Sequence, residues 1–415
     1  MCLDTLKEKL LYDAEVAGLA FNFSVSTRGV QLFFGGFDDR LADFASQAMD
    51  AVLSFEPNRA PRGFDVQREK LRRELESFAT QLPISQAAYW AGLALVMPEF
   101  SLEELQRSAK EIRLSDVVQF ASKLWDSARA ELKTSLCWGN LRPAEGDLLV
   151  AKLRERLKSP GPPGKEAPQP RVTQLPVTPV GPGVALVRDV MDKLEENSAV
   201  EVLFQGGTTR GGGAAELQRL AELQVLASVM SDQFYEQLRT REQLGYIVSC
   251  RADRNEGIVF VVQGAAKSAL EVLARIDAFL DTVPGMLRAK TEAEITQLAE
   301  SLAQARLARP QQLLNAAERC WGEIRSHEFR WTRPLDEALA IRQVRKTQVV
   351  EAYDRLLAPG GAERRRLCSL VVPSRAASVA KELAKQGAEV IEDPQAFARS
   401  RPKWPLSNEK LASRA

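Results

Sequence analysis

Apolar and polar residues alternate along Phe21–Ser26 within Leu19–Ser26 (LAFNFSVS), and Val30–Gly36 (VQLFFGG) is a short, mostly apolar run. Both patterns predict strands, and Thr27-Arg28-Gly29 between them predicts a tight turn. The period then lengthens to that of an amphipathic helix over Arg40–Leu53. The same succession recurs later. Gly245 ends a helical stretch, Tyr246–Arg251 is a strand, Asn255-Glu256-Gly257 a turn, Ile258–Gly264 (IVFVVQG) a strand, and Ala269–Val283 a helix. Gly18 aligns with Gly245, Gly29 with Gly257 and Gly36 with Gly264, at an offset of 227–228 residues. Each glycine marks a helix stop or a tight turn, and Gly245 is expected to supply a left-handed one.

Both copies continue alike. Two longer helices are predicted at Phe64–Gln81 and Ser85–Val96, and at Glu292–Ala308 and Pro310–Ser326. A short helix follows (Leu114–Leu124; Lys346–Leu357), then an apolar strand (Ala130–Trp138; Arg366–Val372). The second copy opens with two further strands, Val184–Val190 and Ala199–Gln205, and a long helix, Ala214–Arg241. The first copy lacks counterparts of 183–227, which predicts an incomplete sheet with an open edge. Eight prolines among the 24 residues of Ser159–Pro182 rule out a helix or central strand there. The predicted fold is α+β, with two homologous domains at 1–158 and 183–415 joined by a Pro-rich linker at 159–182. Each is expected to be an antiparallel sheet with helices packed on one face, the first without its N-terminal strands.

Composition narrows the function. The chain has 415 residues and a formal net charge of +1, which recruits neither nucleic acid nor an anionic membrane. No apolar run reaches the roughly 18 residues of a membrane span. Cys2, Cys137, Cys250, Cys320 and Cys368 are odd in number and form no C-x-x-C. That fits free thiols in a reducing compartment and a cytoplasmic location. Cys137 and Cys368, in apolar runs, are expected in the core, and the run Arg364–Arg366 on a solvated strand edge. The one histidine, His327, lacks a second imidazole for H-E-x-x-H. Glu201–Gly206 (EVLFQG) reads as native strand, and Gly211–Gly213 lacks the Lys of a phosphate loop.

Candidate chemistry lies in Ser231–Tyr246, SDQFYEQLRTREQLGY. Arg239, near a helix end, offers a planar fork of donors to a carbonyl or carboxylate. Tyr246 offers a hydroxyl at the start of a strand. Across a sharp turn the two heads can converge on one peptide. Residue chemistry alone leaves a second reading open, with Arg239 as a helix-end cation and Tyr246 as a half-buried strand residue.

Leu238–Tyr246 (LRTREQLGY) resembles a stretch of the insulin-degrading enzyme, pitrilysin and nardilysin family of zinc peptidases. AEVAGLAFNFSVSTRGVQLFFGGFDDR is similar to that family's third domain. VEVLFQGG, CWGEI and Phe397–Pro405 resemble parts of its fourth domain and tail. The resemblance implies a pitrilysin-like (LuxS-like metallopeptidase) fold and nothing of the first two domains. Zinc in that family is held by H-x-x-E-H in the first domain, so the implied Zn2+ of a complete enzyme is bound by an N-terminal half, in cis or in trans, and none by this chain. The resemblance also implies catalytic support and substrate binding by Arg239 and Tyr246, with Tyr246 aiding the developing oxyanion of a peptide substrate. The expected function is the chamber-forming half of a zinc metalloendopeptidase, with homo-oligomers possible in principle. The alternative is a catalytically inactive peptide-binding or structural subunit that pairs with a zinc-bearing half.

Overall fold

The computed structural model describes residues 1–415 except 3–5, 7–9, 27–28, 60, 98, 125–133, 158–177, 208–212, 254–256, 327 and 405–415. It contains two compact units that do not follow the chain. One comprises Met1–Glu76, Leu102–Thr173 and Pro310–His327. The other comprises Ser77–Ser101, Gln174–Arg309 and Glu328–Ala415.

In the first unit β1 (Ala20–Ser26) and β2 (Gly29–Gly35) form an antiparallel hairpin, in register from Ala20↔Gly35 to Ser26↔Gly29. This two-stranded sheet packs with Leu11, Ala14, Leu19, Phe44 and Val52. The helix Asp38–Leu53 turns Phe44, Ala45, Ala48, Met49 and Val52 inward, the spacing of one helical face. Of the strand expected at Ala130–Trp138, residues 130–133 lie outside the described residues, and 134–138 are not a strand. Cys137 there is exposed, contrary to the core position expected of it. Two helices unannounced by the repeat, Leu102–Glu111 and Pro143–Arg156, are largely polar and bury few side chains.

The second unit is built on six strands in the order β5-β6-β4-β7-β3-β8. They are β3 (Val184–Asp189), β4 (Ser198–Gln205), β5 (Ile247–Asp253), β6 (Gly257–Gly264), β7 (Arg366–Val372) and β8 (Glu389–Val390). The α+β class is as expected. The sheet, however, is mixed: β4, β5, β6 and β7 pair antiparallel, but β3 runs parallel to β7 and β8. A parallel pair needs a long crossover, and β3 and β7 lie far apart in sequence.

Helices cover both faces rather than one. On one face Val200, Val202, Phe204, Ile258, Phe260 and Val262 meet the helices Ala214–Tyr235 and Ala269–Ala289. On the other, Ala199, Leu203, Val259, Val261, Leu186 and Val371 meet Ala87, Trp90, Ala91 and Ala94 of the helix Pro83–Leu95. That helix is apolar on most of its circumference, so it must be buried deeply. Two of its backbone groups are met by side chains of the sheet. Gln263 accepts from the Ile84 amide at 2.9 Å, and Ser369 donates to the Ala87 carbonyl at 2.8 Å. With both faces covered, β4, the EVLFQ strand, is buried along its whole length and is apolar at five of its eight positions.

β7 is an interior strand, so Arg364–Arg366 do not form a solvated edge. Arg364 and Arg366 lie over the Phe204 ring, Arg366 pairs with Asp277 at 2.7 Å, and Arg364 donates to the Leu357 and Pro182 carbonyls. Cys368 is buried as expected.

Candidate functional site

The long helix Ala214–Tyr235 does not end at its last regular turn. It widens into a π-helical turn, Glu236–Arg241, closed by the Glu242 amide donating to the Gln237 carbonyl at 3.0 Å. The Leu244 amide then donates to the Leu238 carbonyl at 2.9 Å, which ends the helix. Apolar anchors hold this passage. Phe234, Leu238 and Leu244 are fully buried, and Phe234 meets Phe260 and Phe279 edge-on at 5.3 and 5.1 Å. Burying a ring of this size is worth about 1.5–3 kcal/mol, so the helix end is pinned to β6 and to the helix Ala269–Ala289.

The left-handed residue of the turn is Gln243 (φ 51°), not Gly245 as the sequence suggested. A side-chain-bearing residue there costs about 1–2 kcal/mol. Gly245 is needed for space instead. A Cβ on it would sit 1.9 Å from the Gln263 carbonyl oxygen. The chain crosses the end of β6 at this point and enters β5, the edge strand of the sheet.

Arg239 and Tyr246, separated by the turn in sequence, are brought together by it. The Arg239 guanidinium lies 5.3 Å from the centre of the Tyr246 ring, a cation–π contact. Tyr246 is 83% exposed although it adjoins a strand, so it is not the half-buried strand residue of the alternative reading. Arg239 is half-buried, and among the described residues its Nε is buried without a hydrogen-bond partner. Leaving such a donor unmet costs about 1–3 kcal/mol. No carboxylate among the described residues pairs with it. The neighbouring cations are all engaged: Arg241 with Glu236 at 3.3 Å and Arg275 with Glu242 at 2.6 Å.

Sequence reasoning missed the residues that brace this turn. Both oxygens of Glu242 accept from Arg275, at 2.7 and 2.6 Å, and Oε1 also accepts from Gln237 at 2.6 Å. The Arg275 hydrogen bonds hold the Glu242 carboxyl below the usual carboxylate range, against a smaller opposing effect of burial. Arg275 is the one charged residue in the otherwise apolar run Val272–Ile276, and this was the available signal.

Among the described residues no group of three or more His, Cys, Asp or Glu side chains is placed to hold a metal ion. His327 lies outside the described residues. The donor set of the described residues does not fit a zinc site. A separate cavity of about 530 Å3 is lined by Arg219, Glu222, Arg355, Glu363, Arg365 and Trp404. Its charges are largely spent on one another, with Arg219 to Glu363 at 2.8 Å and Arg355 to Glu222 at 3.3 Å. No helix among the described residues is long and apolar enough to cross a membrane.

The chain is similar to known proteins along most of its length. Residues 1–108 match the model of the middle or third domain of the M16 peptidases. Residues 225–321, which include Arg239 and Tyr246, match that of the fourth, C-terminal-lobe domain of PQQ synthase PqqF-like proteins. A putative zinc protease of Caenorhabditis elegans is 29% identical over 88% of this chain and 41% of its own length. Human insulin-degrading enzyme is 24% identical over 97% of this chain and 40% of its own. The crystal structure of pitrilysin superposes with a TM-score of 0.78 at 19% identity, covering 97% of this chain and 40% of that one. The chain thus spans about 40% of the length of these relatives. Its domain matches, relatives and fold are those of the C-terminal half of the M16 peptidases, the family of insulin-degrading enzyme and pitrilysin.

Proposed function

We propose that the chain acts as the chamber-forming, substrate-binding half of a zinc endopeptidase whose metal is carried by an N-terminal half, in cis or in trans. The observation that carries this is Arg239: a half-buried guanidinium, free of any carboxylate among the described residues, stacked on an exposed tyrosine. A cation held in this way is prepared for an acceptor from outside the chain. A peptide carbonyl fits, because the planar fork donates along the direction of its lone pairs. The Tyr246 hydroxyl, which shares the approach, then donates to the oxygen that gains charge as the carbonyl is attacked. The strained Gln243 supports the reading, since local strain concentrates where a turn must aim side chains. Zinc supplies the hydrolytic chemistry when bound, and it is bound outside this chain. Substrates are unfolded peptides small enough to be enclosed between the halves.

The second reading, an inactive binding or structural subunit, draws on the donor set, which fits no zinc site among the described residues. Peptide cleavage separates the two. The chain mixed with a zinc-bearing half of the family should cleave a fluorogenic peptide that neither cleaves alone, and a chelator should abolish the activity. Peptide binding without cleavage under every pairing would favour the inactive subunit.

A further inference from the structure

Arg239 has two carboxylates three residues away in sequence, Glu236 and Glu242. In an α-helix that is a spacing at which ion pairs form, but the wider π-helical turn pairs residues five apart instead, Glu236 with Arg241 and Gln237 with Glu242. Neither carboxylate reaches Arg239. Glu236 is turned to Arg241, and Glu242 is held on both oxygens by Arg275 and on one by Gln237. Arg275 comes from a different helix, Ala269–Ala289, so the grip on Glu242 is independent of the turn itself.

We propose that Arg275 acts as a charge guard for the substrate-binding arginine. By occupying Glu242 it keeps that carboxylate from pairing with Arg239, and so leaves the Arg239 charge and its unmet Nε–H for a peptide carbonyl. Arg275, Glu242 and Gln237 are then positioning residues. The inference rests on the reading of Arg239 as a peptide contact. Its consequence is specific. Removing Arg275 leaves the Glu242 carboxylate, three residues from Arg239 in sequence, held by Gln237; on this inference Arg239 then turns to Glu242 and no longer donates to the peptide. Removing Glu242 together with Arg275 leaves only Glu236 nearby in sequence, and that carboxylate stays with Arg241. The double change is therefore milder than the single one; an ion pair that only braced the turn would give the same order in stability, so the state of the Arg239 guanidinium is what separates a guard from a brace.

The test compares Arg275→Met, Glu242→Gln, the double variant and Arg239→Met in the complete peptidase on a fluorogenic peptide. Arg275→Met should lower kcat/KM about tenfold, within the range of coupling between adjacent charges. The double variant should return it to within about twofold of the unaltered protein, the scatter of additive pairs. A substrate-free readout uses the 415-residue chain itself. The Arg239 Nε–Hε NMR resonance, assigned with Arg239→Lys, should shift in Arg275→Met and return in the double variant. If Arg275→Met fails to fold, Arg275→Gln serves, with the same order expected. Equal losses in Arg275→Met with and without Glu242→Gln, beside a normal loss in Arg239→Met, would overturn the guard alone. An unchanged kcat/KM in Arg239→Met would overturn the underlying reading as well.

Discussion

Gly245→Ala isolates what the crossing at the end of β6 demands. The φ angle of Gly245 is not in the left-handed region, so the backbone itself would accept alanine. Space would not. The new Cβ would lie 1.9 Å from the Gln263 carbonyl oxygen, and relief to an ordinary 3.4 Å contact opens the crossing by about 1.5 Å. The obstacle is backbone on both sides: a Cβ on Gly264 would in turn meet the Leu244 carbonyl oxygen at 2.2 Å. No rotamer change removes the overlap, so the cost belongs with overpacking, about 1–3 kcal/mol. Tyr246 is the next residue, and a displacement of about 1 Å at a reacting centre costs on the order of 100-fold in rate. Urea unfolding of the chain measures the first effect, and peptide hydrolysis by the complete peptidase the second. Gly92→Ala is the control. It lies in the helix Pro83–Leu95 with nothing within 4 Å of the added methyl, and should stabilise by about 0.5–1 kcal/mol. A Gly245→Ala protein within about 0.5 kcal/mol of the unaltered one would refute the crossing argument.

Acid should undo the brace in a defined order. The Arg275 hydrogen bonds depress the Glu242 carboxyl in the folded protein below its ordinary 4.5. The stabilisation is therefore present above that value and lost as pH falls through the depressed folded pKa. The stability gap between the unaltered chain and Glu242→Gln, read by urea unfolding, should be full at neutral pH and close only below about pH 4.5. A gap that closes between pH 7 and 5 would place the effect elsewhere. The thiols should separate by burial. Burial raises the pKa of all three thiols, Cys137, Cys250 and Cys368, but only Cys137 among them is exposed to the reagent. Mass spectrometry after brief alkylation should find Cys137 modified and Cys250 and Cys368 intact until the chain is unfolded. Early labelling of Cys368 would contradict its place in β7.

Much of the second unit was legible because its periodicities are local. IVFVVQG, EVLFQ and RLCSLVV are strands within a residue of their predicted ends. The direction of β3 was not legible, since parallel pairing with β7 is a long-range property that no local pattern encodes. Nor was the exchange of segments between units, by which Ser77–Ser101 joins the second and Pro310–His327 the first. The apolar circumference of Pro83–Leu95 was visible, but not what buries it. In the site, Arg239 and Tyr246 were named from the motif, and the structure brings them into contact. The role of Gly245 was misassigned because glycine in a turn suggests positive φ, whereas this one makes way for a neighbouring strand end. Glu242 and Arg275 were missed because their pairing joins residues 33 apart.

The most direct measurement is the turnover of the complete peptidase carrying Tyr246→Phe. That change removes one hydroxyl donor and leaves the ring under Arg239. The account predicts kcat at least about tenfold lower with KM little changed, roughly the worth of a donor used only in the transition state. An unchanged kcat would contradict it and leave the Arg239–Tyr246 pair as a contact without a part in catalysis.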